Sequence, residues 1–363
     1  MQELLLGLTS ITIKQIGMMV IGAVLIYLAV KKDYEPALLL PIGFGAIMVN
    51  IPFSSAQEVL NTLFNAGIAT ELFPLLIFIG VGAMIDFTPL LQNPVMLLFG
   101  AAAQFGIFFT MLIAGFFGFS LKEAASIGII GAADGPTSIY VASKFAKNLL
   151  GPISVAAYSY MSLVPIIQPP VIKALTTKKE RRIKMPYRPK EVSKTVKIIF
   201  PIVITLVSGI LVPNSVALIG FLMFGNLIRE CGVVERLSKS AQNELANIVT
   251  ILLGITIGST MRAEEFLHPT TLIIILMGLV AFVFDTAGGV LFAKFLNLFL
   301  KNKINPMVGA CGISAFPMSA RVINKMGLKE DPNNFLLMHA VSANVAGQIG
   351  SVIAGGLILA LVK

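Results

Sequence analysis

The chain has 363 residues, of which 56% are hydrophobic and 12% are charged. Soluble domains carry about 25% charged residues, so this composition excludes an ordinary water-soluble protein. The net charge of +9 is unevenly spread, because ten Lys and Arg residues fall between Lys173 and Lys197. Such a basic segment between two membrane spans is typical of a cytoplasmic loop that touches anionic lipid or a partner, and it does not indicate nucleic-acid binding.

Apolar runs close to the length that crosses about 30 Å of hydrocarbon recur along the chain. The runs are continuous and carry small residues at helical spacing, whereas β-barrel strands alternate apolar and polar positions. The sequence therefore predicts an all-α, polytopic membrane helix bundle. The predicted runs are Gln15–Val30, Phe73–Ile85, Val95–Phe119, Val196–Val212, Leu272–Leu300 and Phe335–Val362.

The two halves of the chain resemble each other when one is shifted by about 178 residues along the other. EPALLLPIGFGAIMVN then meets NSVALIGFLMFGNLI, LLIFIGVGAMIDF meets ILLGITIGSTMRAEEF, and IIGAADGPTSIY meets MVGACGISAFPMSA. Such duplication is a hallmark of secondary-transporter folds with discontinuous helices. We predict two transmembrane repeats, residues 1–178, ending in the basic cytoplasmic loop, and residues 179–363. An inverted relationship is favoured, although an even number of crossings per half would make the repeats parallel.

The first interrupted segment is AASIGIIGAADGPTSIYVASKF, in which Gly135 and Pro136 break the helix beside Asp134. Backbone groups freed by a break must face protein or a water-filled cavity, because lipid cannot satisfy them. A carboxylate at membrane depth indicates function, and with the hydroxyls of Thr137 and Ser138 it offers the oxygen ligands that a hard cation prefers. The alternative is an interfacial Asp that only caps a helix.

The second interrupted segment is KINPMVGACGISAFPMSARVINKMG, which contains Asn305, Gly309, Ser314, Pro317 and Arg321. Its glycines and prolines again predict an opened backbone, and its side chains offer neutral oxygens without a carboxylate. Paired with the first break, it would complete an ion site. Arg321 could bind a carboxylated ligand through its planar donor fork, or it could simply flank the membrane or pair with an acid.

Four further polar residues lie within apolar segments. Tyr160, in AYSYMSLVP, could belong to an interfacial aromatic belt or to a proton relay. In the last span, small residues at spacings of three and four predict close helix packing, and Asn344 is the predicted ion ligand there. Asp285 could serve a secondary ion or proton role or lie at a helix end, and His339 is predicted to be a hydrogen-bonded core residue.

The sequence contains neither a GxxxxGK[ST] phosphate loop nor a GxSxG nucleophile elbow. Nucleotide hydrolysis is therefore not predicted. The energy for transport would come from an ion gradient or from a high-energy group that a partner delivers.

The segments GAADGPTSIY, AYSYM, NPMVGACGISAFPMSAR and NVAGQIGSVIA together resemble the beta subunit of the sodium-translocating biotin-dependent decarboxylases. That family comprises the oxaloacetate, methylmalonyl-CoA, glutaconyl-CoA and malonate enzymes. The compact chain favours a methylmalonyl-CoA or glutaconyl-CoA type. The resemblance implies a subunit that decarboxylates carboxybiotin, with Na⁺ export and proton consumption coupled to that step.

The resemblance also implies the site, the partners and the location. Asp134, Tyr160 and Arg321 would be catalytic, and Arg321 would contact the biotin cofactor. The ion ligands would be Asp134, Asn305, Gly309 and Ser314, to which the residues themselves add Asn344. The implied partners are a biotin carrier protein, a carboxyltransferase alpha subunit, a small membrane-anchor gamma or delta subunit, membrane lipid and further copies of the chain, in the inner membrane of a prokaryote.

Two other functions fit the same repeats and broken helices. A secondary transporter of the antiporter or bile-acid-symporter kind would need no biotin partner, and a passive channel or scaffold would not need two breaks around one acid. A biotin-carrier gene beside this one would favour the decarboxylase.

Overall fold

The computed structural model describes residues 9–32, 36–187 and 191–363, which fold into α-helices joined by turns. The helices of the first half are α1 Ile13–Lys32, α2 Pro36–Val49, α3 Ala56–Leu63, α4 Leu72–Met84, α5 Thr88–Gln92, α6 Leu97–Ala103, α7 Phe105–Phe116, α8 Leu121–Gly128, α9 Gly135–Phe145 and α10 Leu150–Leu175. Those of the second half are α11 Lys178–Arg181, α12 Lys194–Leu211, α13 Val216–Glu230, α14 Glu235–Ser240, α15 Ala246–Gly258, α16 Ala263–Phe266, α17 Pro269–Leu296, α18 Pro306–Gly309, α19 Met318–Glu330 and α20 Leu337–Leu361.

Six helical segments of the described chain are long and apolar enough to cross a membrane, which confirms the predicted polytopic helix bundle. A further pair, Ala56–Ile68 and Leu72–Met84, meets at 60° and would make a seventh span if it crosses as one unit. The six are Ile13–Lys32, Pro94–Phe116, Lys147–Leu175, Lys194–Leu211, Pro269–Phe299 and Leu337–Leu361.

The span Lys147–Leu175 was missing from the predicted apolar runs. Its middle carries Tyr158 and Ser162, and Pro165 lies within the helix, so its apolar character is interrupted. Most of these polar groups are buried by neighbouring helices and never meet lipid. Burial inside a bundle thus allows a spanning helix to be less apolar than a lipid-facing one.

The two halves pack through equivalent hydrogen bonds. The Asn50 side-chain nitrogen donates to the carbonyl oxygen of Met261 at 2.8 Å, and the Asn226 nitrogen donates to that of Ile85 at 2.9 Å. Asn226 and Met261 each lie 176 residues after Asn50 and Ile85, respectively. The same bond is therefore made twice with the halves exchanged, as a two-fold pseudosymmetric repeat requires.

Glycine allows the backbones of the two halves to touch at these contacts. A Cβ atom on Gly82 of α4 would lie 1.8 Å from the carbonyl oxygen of Leu222 in α13. A Cβ atom on Gly45 of α2 would lie 2.4 Å from that of Ile255 in α15. Small residues at helix crossings permit this close approach in membranes, where packing replaces the hydrophobic effect.

Corresponding helices run in opposite directions. The end of α4 lies beside the start of α12, where the rings of Phe87 and Phe200 are 5.2 Å apart. The end of α15 lies beside the start of α10, where a Cβ atom on Gly151 would approach the Thr260 side chain to 2.9 Å. The start of α10 lies about 39 Å from its other end, which leads into the basic segment and so to the start of α12. Since α4 ends beside the start of α12 and its counterpart α15 ends beside the start of α10, the two helices end on opposite sides of the bundle. This is the arrangement of the predicted inverted repeat.

Both predicted breaks lie in the middle of the bundle. After α8 a 3-10 turn at 129–132 leads to α9, and after α18 a 3-10 turn at 310–312 leads into an extended stretch before α19. Residues 124–143 and 304–315 are buried without interruption. The freed backbone groups thus face protein, as membrane burial demands.

The predicted repeat boundary at residue 178 remains a prediction. It falls at the start of α11, inside the basic segment, while residues 1–8 of the first repeat and 188–190 of that segment lie outside the described residues. Residues 176–185 pack against the second half through Asn305 and Asn334, whose side-chain nitrogens both donate to the carbonyl oxygen of Arg181.

Candidate ion-translocation site

The first break is built around Asp134, the N-cap of α9. Its Oδ1 accepts a hydrogen bond from the backbone N–H of Thr137 at 3.2 Å, and Pro136 lies in the first turn. Asp at the N-cap and Pro in the first turn are preferred because the early N–H groups have no helical partner. Ala133 reverses the chain before the cap, with φ at 52°, a left-handed backbone angle that is strained for a residue other than glycine.

The second break meets the first at this carboxylate. The backbone N–H of Ser314 donates to the carbonyl oxygen of Ala132 at 2.9 Å. The Ser314 hydroxyl donates to Oδ2 of Asp134 at 3.1 Å. The structure therefore brings together Asp134 and Ser314, two of the residues assigned to the site from sequence.

The last helix, α20, contributes three side chains on one face. The Ser351 hydroxyl donates to Oδ2 of Asp134 at 2.7 Å, and the Gln348 amide lies 3.4 Å from the same oxygen. The Asn344 amide donates to the carbonyl oxygen of Ile313 in the second break at 2.7 Å. Sequence reasoning selected Asn344 and attributed the other polar residues to packing. Their spacings of four and three residues, which place them on one helix face, could have identified Gln348 and Ser351.

A cavity of about 210 Å³ adjoins the carboxylate. Its polar walls come from Asp134, Tyr158, Thr250, Ser314 and Gln348. Apolar side chains of α2 and α4 complete it, so this cavity lies between the breaks and the helices that hold the two halves together. The apolar lining is Ala37, Leu38, Ile77, Phe78, Val81, Met84, Ala133, Pro136, Met161 and Phe316.

Three buried oxygens around the breaks have no hydrogen-bond partner among the described residues: the Thr137 hydroxyl, the Tyr158 hydroxyl and Oδ1 of Asn344. Buried polar atoms are almost always paired, so these three oxygens are available to bind a ligand at the breaks. Hydroxyl groups carry lone pairs and can turn toward a cation. The set of a carboxylate, hydroxyls and amide oxygens suits a hard cation.

The electrostatics of the site also favour a cation. Asp134 is 2% exposed, and it forms no ion pair within the described ranges. A buried charge without an opposite charge is costly, even with hydrogen bonds from Ser314 and Ser351. A bound cation or a proton would remove that cost.

Tyr160 contacts a different part of the molecule. Its hydroxyl donates a short hydrogen bond to the carbonyl oxygen of Ile275 in α17. A Cβ atom on Gly278 would lie 2.7 Å from its ring. Tyr158, two residues earlier, is the tyrosine that lines the Asp134 cavity.

Asn305 and Gly309, two of the predicted ion ligands, lie outside the Asp134 cavity in this conformation. The Asn305 nitrogen donates to the carbonyl oxygens of Arg181 and Ile183, and its oxygen caps α18 by accepting from the N–H of Met307 at 3.1 Å. Gly309 meets Gly289 so closely that a Cβ atom would lie 2.1 Å from its carbonyl oxygen. In this conformation both residues fix the second break in place, and neither lines the Asp134 cavity.

Arg321 is exposed on α19, one helical turn after Pro317. It is not among the residues that line the Asp134 cavity. The second break thus separates into a buried part that holds Ser314 and an exposed part that carries Arg321.

Asp285 is a second fully buried carboxylate. Its Oδ1 accepts from the backbone N–H of Ile107 at 3.2 Å, and its Oδ2 has no partner among the described residues. Cβ atoms on Gly106 and Gly131 would lie 2.6 and 2.3 Å from its oxygens. The carboxyl group therefore lies at the crossing of α7, α17 and the first break, well inside the bundle rather than at a helix end.

A divalent-metal centre is not supported by the part of the chain that the structure describes, which contains no group of three His, Cys, Asp or Glu residues. His339 contacts the carbonyl oxygen of Met185 at 3.1 Å, which confirms its prediction as a hydrogen-bonded core residue.

Two broken helices that meet at one buried carboxylate define an ion-translocating membrane protein built from two repeats. The chain belongs to the family described as the Na⁺-transporting oxaloacetate decarboxylase beta subunit, whose sequence profile matches residues 14–362. The resemblance predicted from the motifs is thereby confirmed. The protein is a membrane subunit of a sodium-transporting decarboxylase, and the transporter alternative is not supported by its relatives.

Relatives with about half of their residues identical cover nearly the whole chain. The methylmalonyl-CoA decarboxylase subunit beta of Veillonella parvula is 53% identical over 357 residues, which cover 98% of this chain and 95% of the relative. The glutaconyl-CoA decarboxylase subunit beta of Acidaminococcus fermentans is 53% identical over 359 residues, with the same coverage. The oxaloacetate decarboxylase beta chain of Haemophilus ducreyi is 48% identical over 419 residues, covering 98% of this chain and 96% of the relative.

Proposed function

We propose that this chain decarboxylates carboxybiotin presented by a partner carrier domain and couples that step to the export of Na⁺. The observation that carries the proposal is the Asp134 carboxylate, which receives hydroxyl groups from the second break and from the last helix. A site shared by parts of the chain that can move relative to one another can bind an ion in one arrangement and release it in another.

Na⁺ is the transported substrate in this proposal. Asp134 supplies the charge, and the hydroxyls of Ser314 and Ser351 turn their lone pairs toward the ion. The unpaired oxygens of Thr137 and Asn344 are further ligand candidates. Asn344 thus keeps its predicted ligand role, while Asn305 and Gly309 hold the second break in shape.

The chemistry and the transport meet at Asp134. When carboxybiotin loses CO₂, the electron pair of its N–C bond stays on the biotin nitrogen, which takes up one proton. Asp134 can neutralise its charge with Na⁺ or with a proton, so the proton displaces the ion at Asp134, passes on to the biotin nitrogen and leaves the carboxylate free for the next Na⁺. Tyr160 is the proposed proton relay, and its hydrogen bond to Ile275 would have to open for that step. Moving one Na⁺ against 100 mV requires about 2.3 kcal/mol.

The carboxybiotin contact is proposed for Arg321. Its exposed position on α19 gives a carrier domain access from water, and its donor fork matches a carboxylate. The catalytic set is then Asp134, Tyr160 and Arg321, as the sequence predicted. In the present conformation Asp134 contacts the second break through Ser314. Neither Tyr160 nor Arg321 lines the Asp134 cavity.

The proposed assembly follows from the family. The partners are a biotin carrier protein, a carboxyltransferase alpha subunit, a small membrane-anchor subunit and further copies of this chain, in the inner membrane of a prokaryote with the basic segment in the cytoplasm. Alignment with the methylmalonyl-CoA and glutaconyl-CoA subunits spans 357 and 359 residues, whereas that with the oxaloacetate chain spans 419. The compact length therefore favours a CoA-thioester substrate for the complex.

Reconstitution tests this function. The chain is placed in vesicles with its carrier and carboxyltransferase subunits, and uptake of ²²Na⁺ is followed when methylmalonyl-CoA or glutaconyl-CoA is added. We expect uptake that avidin abolishes, because avidin covers biotin. Uptake that is driven by a proton gradient and ignores avidin would instead establish the secondary transporter.

A further inference from the structure

A row of cations lines the exposed face of α19. Arg321, Lys325 and Lys329 follow one another at intervals of four residues, and all three are exposed. Residues four apart lie on the same helix face, so the row extends over about 12 Å. None of the three forms an ion pair within the ranges that the structure covers.

The basic segment is held against the end of this helix. The Arg181 guanidinium, which is 8% exposed, donates to the Glu330 carboxylate at 2.7 Å. The Arg182 guanidinium donates to the backbone carbonyl of Glu330 at 3.1 Å, and the Lys184 ammonium lies 3.0 Å from the Asp331 carboxylate. These contacts fix α11 beside α19, so a segment that the sequence suggested as a loop forms a defined surface.

The acidic groups at this junction are already engaged. The hydrogen bond from Arg181 lowers the pKa of Glu330, and hydrogen bonds from the Asn333 N–H and Lys184 lower that of Asp331. Both carboxylates are therefore ionised and paired at neutral pH. The exposed cations of residues 178–182 and of α19 therefore leave an excess of positive charge on this surface.

We propose that these cations form one docking surface, the basic surface, for an acidic protein domain. Its members are Lys178, Lys179, Arg182, Arg321, Lys325 and Lys329. The inference rests on the proposed function, because the domain it would receive is the one that carries the anionic carboxybiotin. Arg321 lies at the end of the row nearest the second break, so an acidic domain seated on the row would bring its anionic group to that break.

The shape of α19 favours a protein partner over a membrane surface. Its large apolar residues, such as Ile323 and Met326, point into the bundle, and its exposed face presents no large hydrophobic side chain. A helix that lies on lipid places Phe or Leu beside its cations so that they enter the acyl region. Charge complementarity with an acidic surface raises the rate of encounter and sets orientation.

Binding kinetics of the full-length chain test the basic surface. The chain is held in neutral-lipid nanodiscs, and association of the biotin carrier subunit is measured between about 50 and about 300 mM KCl. For Lys325→Glu/Lys329→Glu we expect an association rate about tenfold lower at low salt and a dissociation rate within about twofold of wild type. The association rate of Lys325→Gln/Lys329→Gln should lie between those of wild type and of the Glu variant. Turnover at saturating carrier should stay within about twofold, since neither lysine is in the catalytic machinery.

Lys31→Glu/Lys32→Glu, which reverses two exposed lysines at the end of α1, is the matched control and should bind like wild type. Equal association rates for the α19 variant and wild type, with carrier binding intact, would overturn the basic surface and leave the proposed function standing. A defect that appears only in binding to anionic vesicles would assign the surface to lipid and overturn it as well. Failure of wild type to bind or decarboxylate the carboxylated carrier would overturn both.

Discussion

Ser314 and Asp134 lie 180 residues apart, one in each break, and share a hydrogen bond of 3.1 Å. Both repeats therefore contribute side chains to the same site. Each places one polar side chain at the same point, and only the first half supplies a charge. The asymmetry gives a site with a single net negative charge, which one Na⁺ or one proton can neutralise.

Replacing Asp134 with Asn removes that charge while keeping the shape. We expect Na⁺ uptake by the reconstituted complex to fall at least about 100-fold, because neutral oxygens alone cannot offset the loss of ion hydration at membrane depth. Asp134→Glu should retain partial activity. Decarboxylation by Asp134→Asn that still depends on Na⁺ would contradict the site.

Ser351→Ala tests the last helix. The Ser351 hydroxyl donates to Asp134 at 2.7 Å, and a hydrogen bond to a charged group contributes about 1.5–3 kcal/mol. The Na⁺ concentration for half-maximal turnover should rise about tenfold or more. Ser342→Ala is the control on the same helix, because that hydroxyl donates to the carbonyl oxygen of Pro89 instead. Equal effects of the two variants would assign Ser351 a structural role only.

The two tyrosines should separate stability from ion binding. Tyr158→Phe removes a hydroxyl without a partner among the described residues, so thermal stability should hold while Na⁺ affinity falls. Tyr160→Phe removes the proposed proton relay, so turnover should fall at every Na⁺ concentration. It also leaves the buried carbonyl of Ile275 unpaired, which should cost about 1–3 kcal/mol of folding free energy. Thermal unfolding in detergent measures the stability of each variant, and Na⁺ titration of turnover measures its Na⁺ affinity. The reverse pattern would place Tyr160 in the cavity in the working state.

Gly82→Ala tests the contact between α4 and α13. Its new Cβ atom would lie 1.8 Å from the carbonyl oxygen of Leu222, so the helices must separate, at a cost of about 1–3 kcal/mol. Gly115→Ala is the control, since nothing lies within 4 Å of the Cβ position there. Thermal unfolding should show a lower midpoint for Gly82→Ala and little change for the control. An unchanged midpoint for both would mean that α4 and α13 can separate without loss of stability.

The ion pair that anchors the basic segment should depend on pH in one direction. The hydrogen bond from Arg181 lowers the pKa of Glu330 below its ordinary value of 4.5. A lowered folded-state pKa gives stability that is complete above the unfolded-state pKa and is lost as pH falls through the folded-state value. The protection factors of residues 176–185 against amide hydrogen exchange, which correct for the intrinsic pH dependence of exchange, should therefore be high near about pH 7 and fall as Glu330 becomes protonated in acid. Glu330→Gln should exchange faster at neutral pH and lack this transition.

Much of this architecture could be predicted because membrane burial constrains sequence strongly. Apolar length identified most spans, and the interruptions at Asp134 and at Ser314 could be recognised because glycine, proline and polar residues rarely occur together in a lipid-exposed helix. The span that contains Tyr158 was missed for the same reason, since its polar residues are shielded by other helices. Hydropathy reports exposure to lipid and cannot see that shielding.

The helical membrane fold, the duplication, the central acid and, through the motifs, the family could all be predicted from residue patterns. The oxygens that surround that acid could be identified only from the way in which the helices pack. Asn305 and Asn344 have the same side chain, yet the Asn305 oxygen caps α18, whereas the Asn344 oxygen has no partner among the described residues and lies beside the second break. Side-chain chemistry is local, whereas the partner of each atom depends on how helices cross, and that geometry is fixed by contacts between residues far apart in sequence.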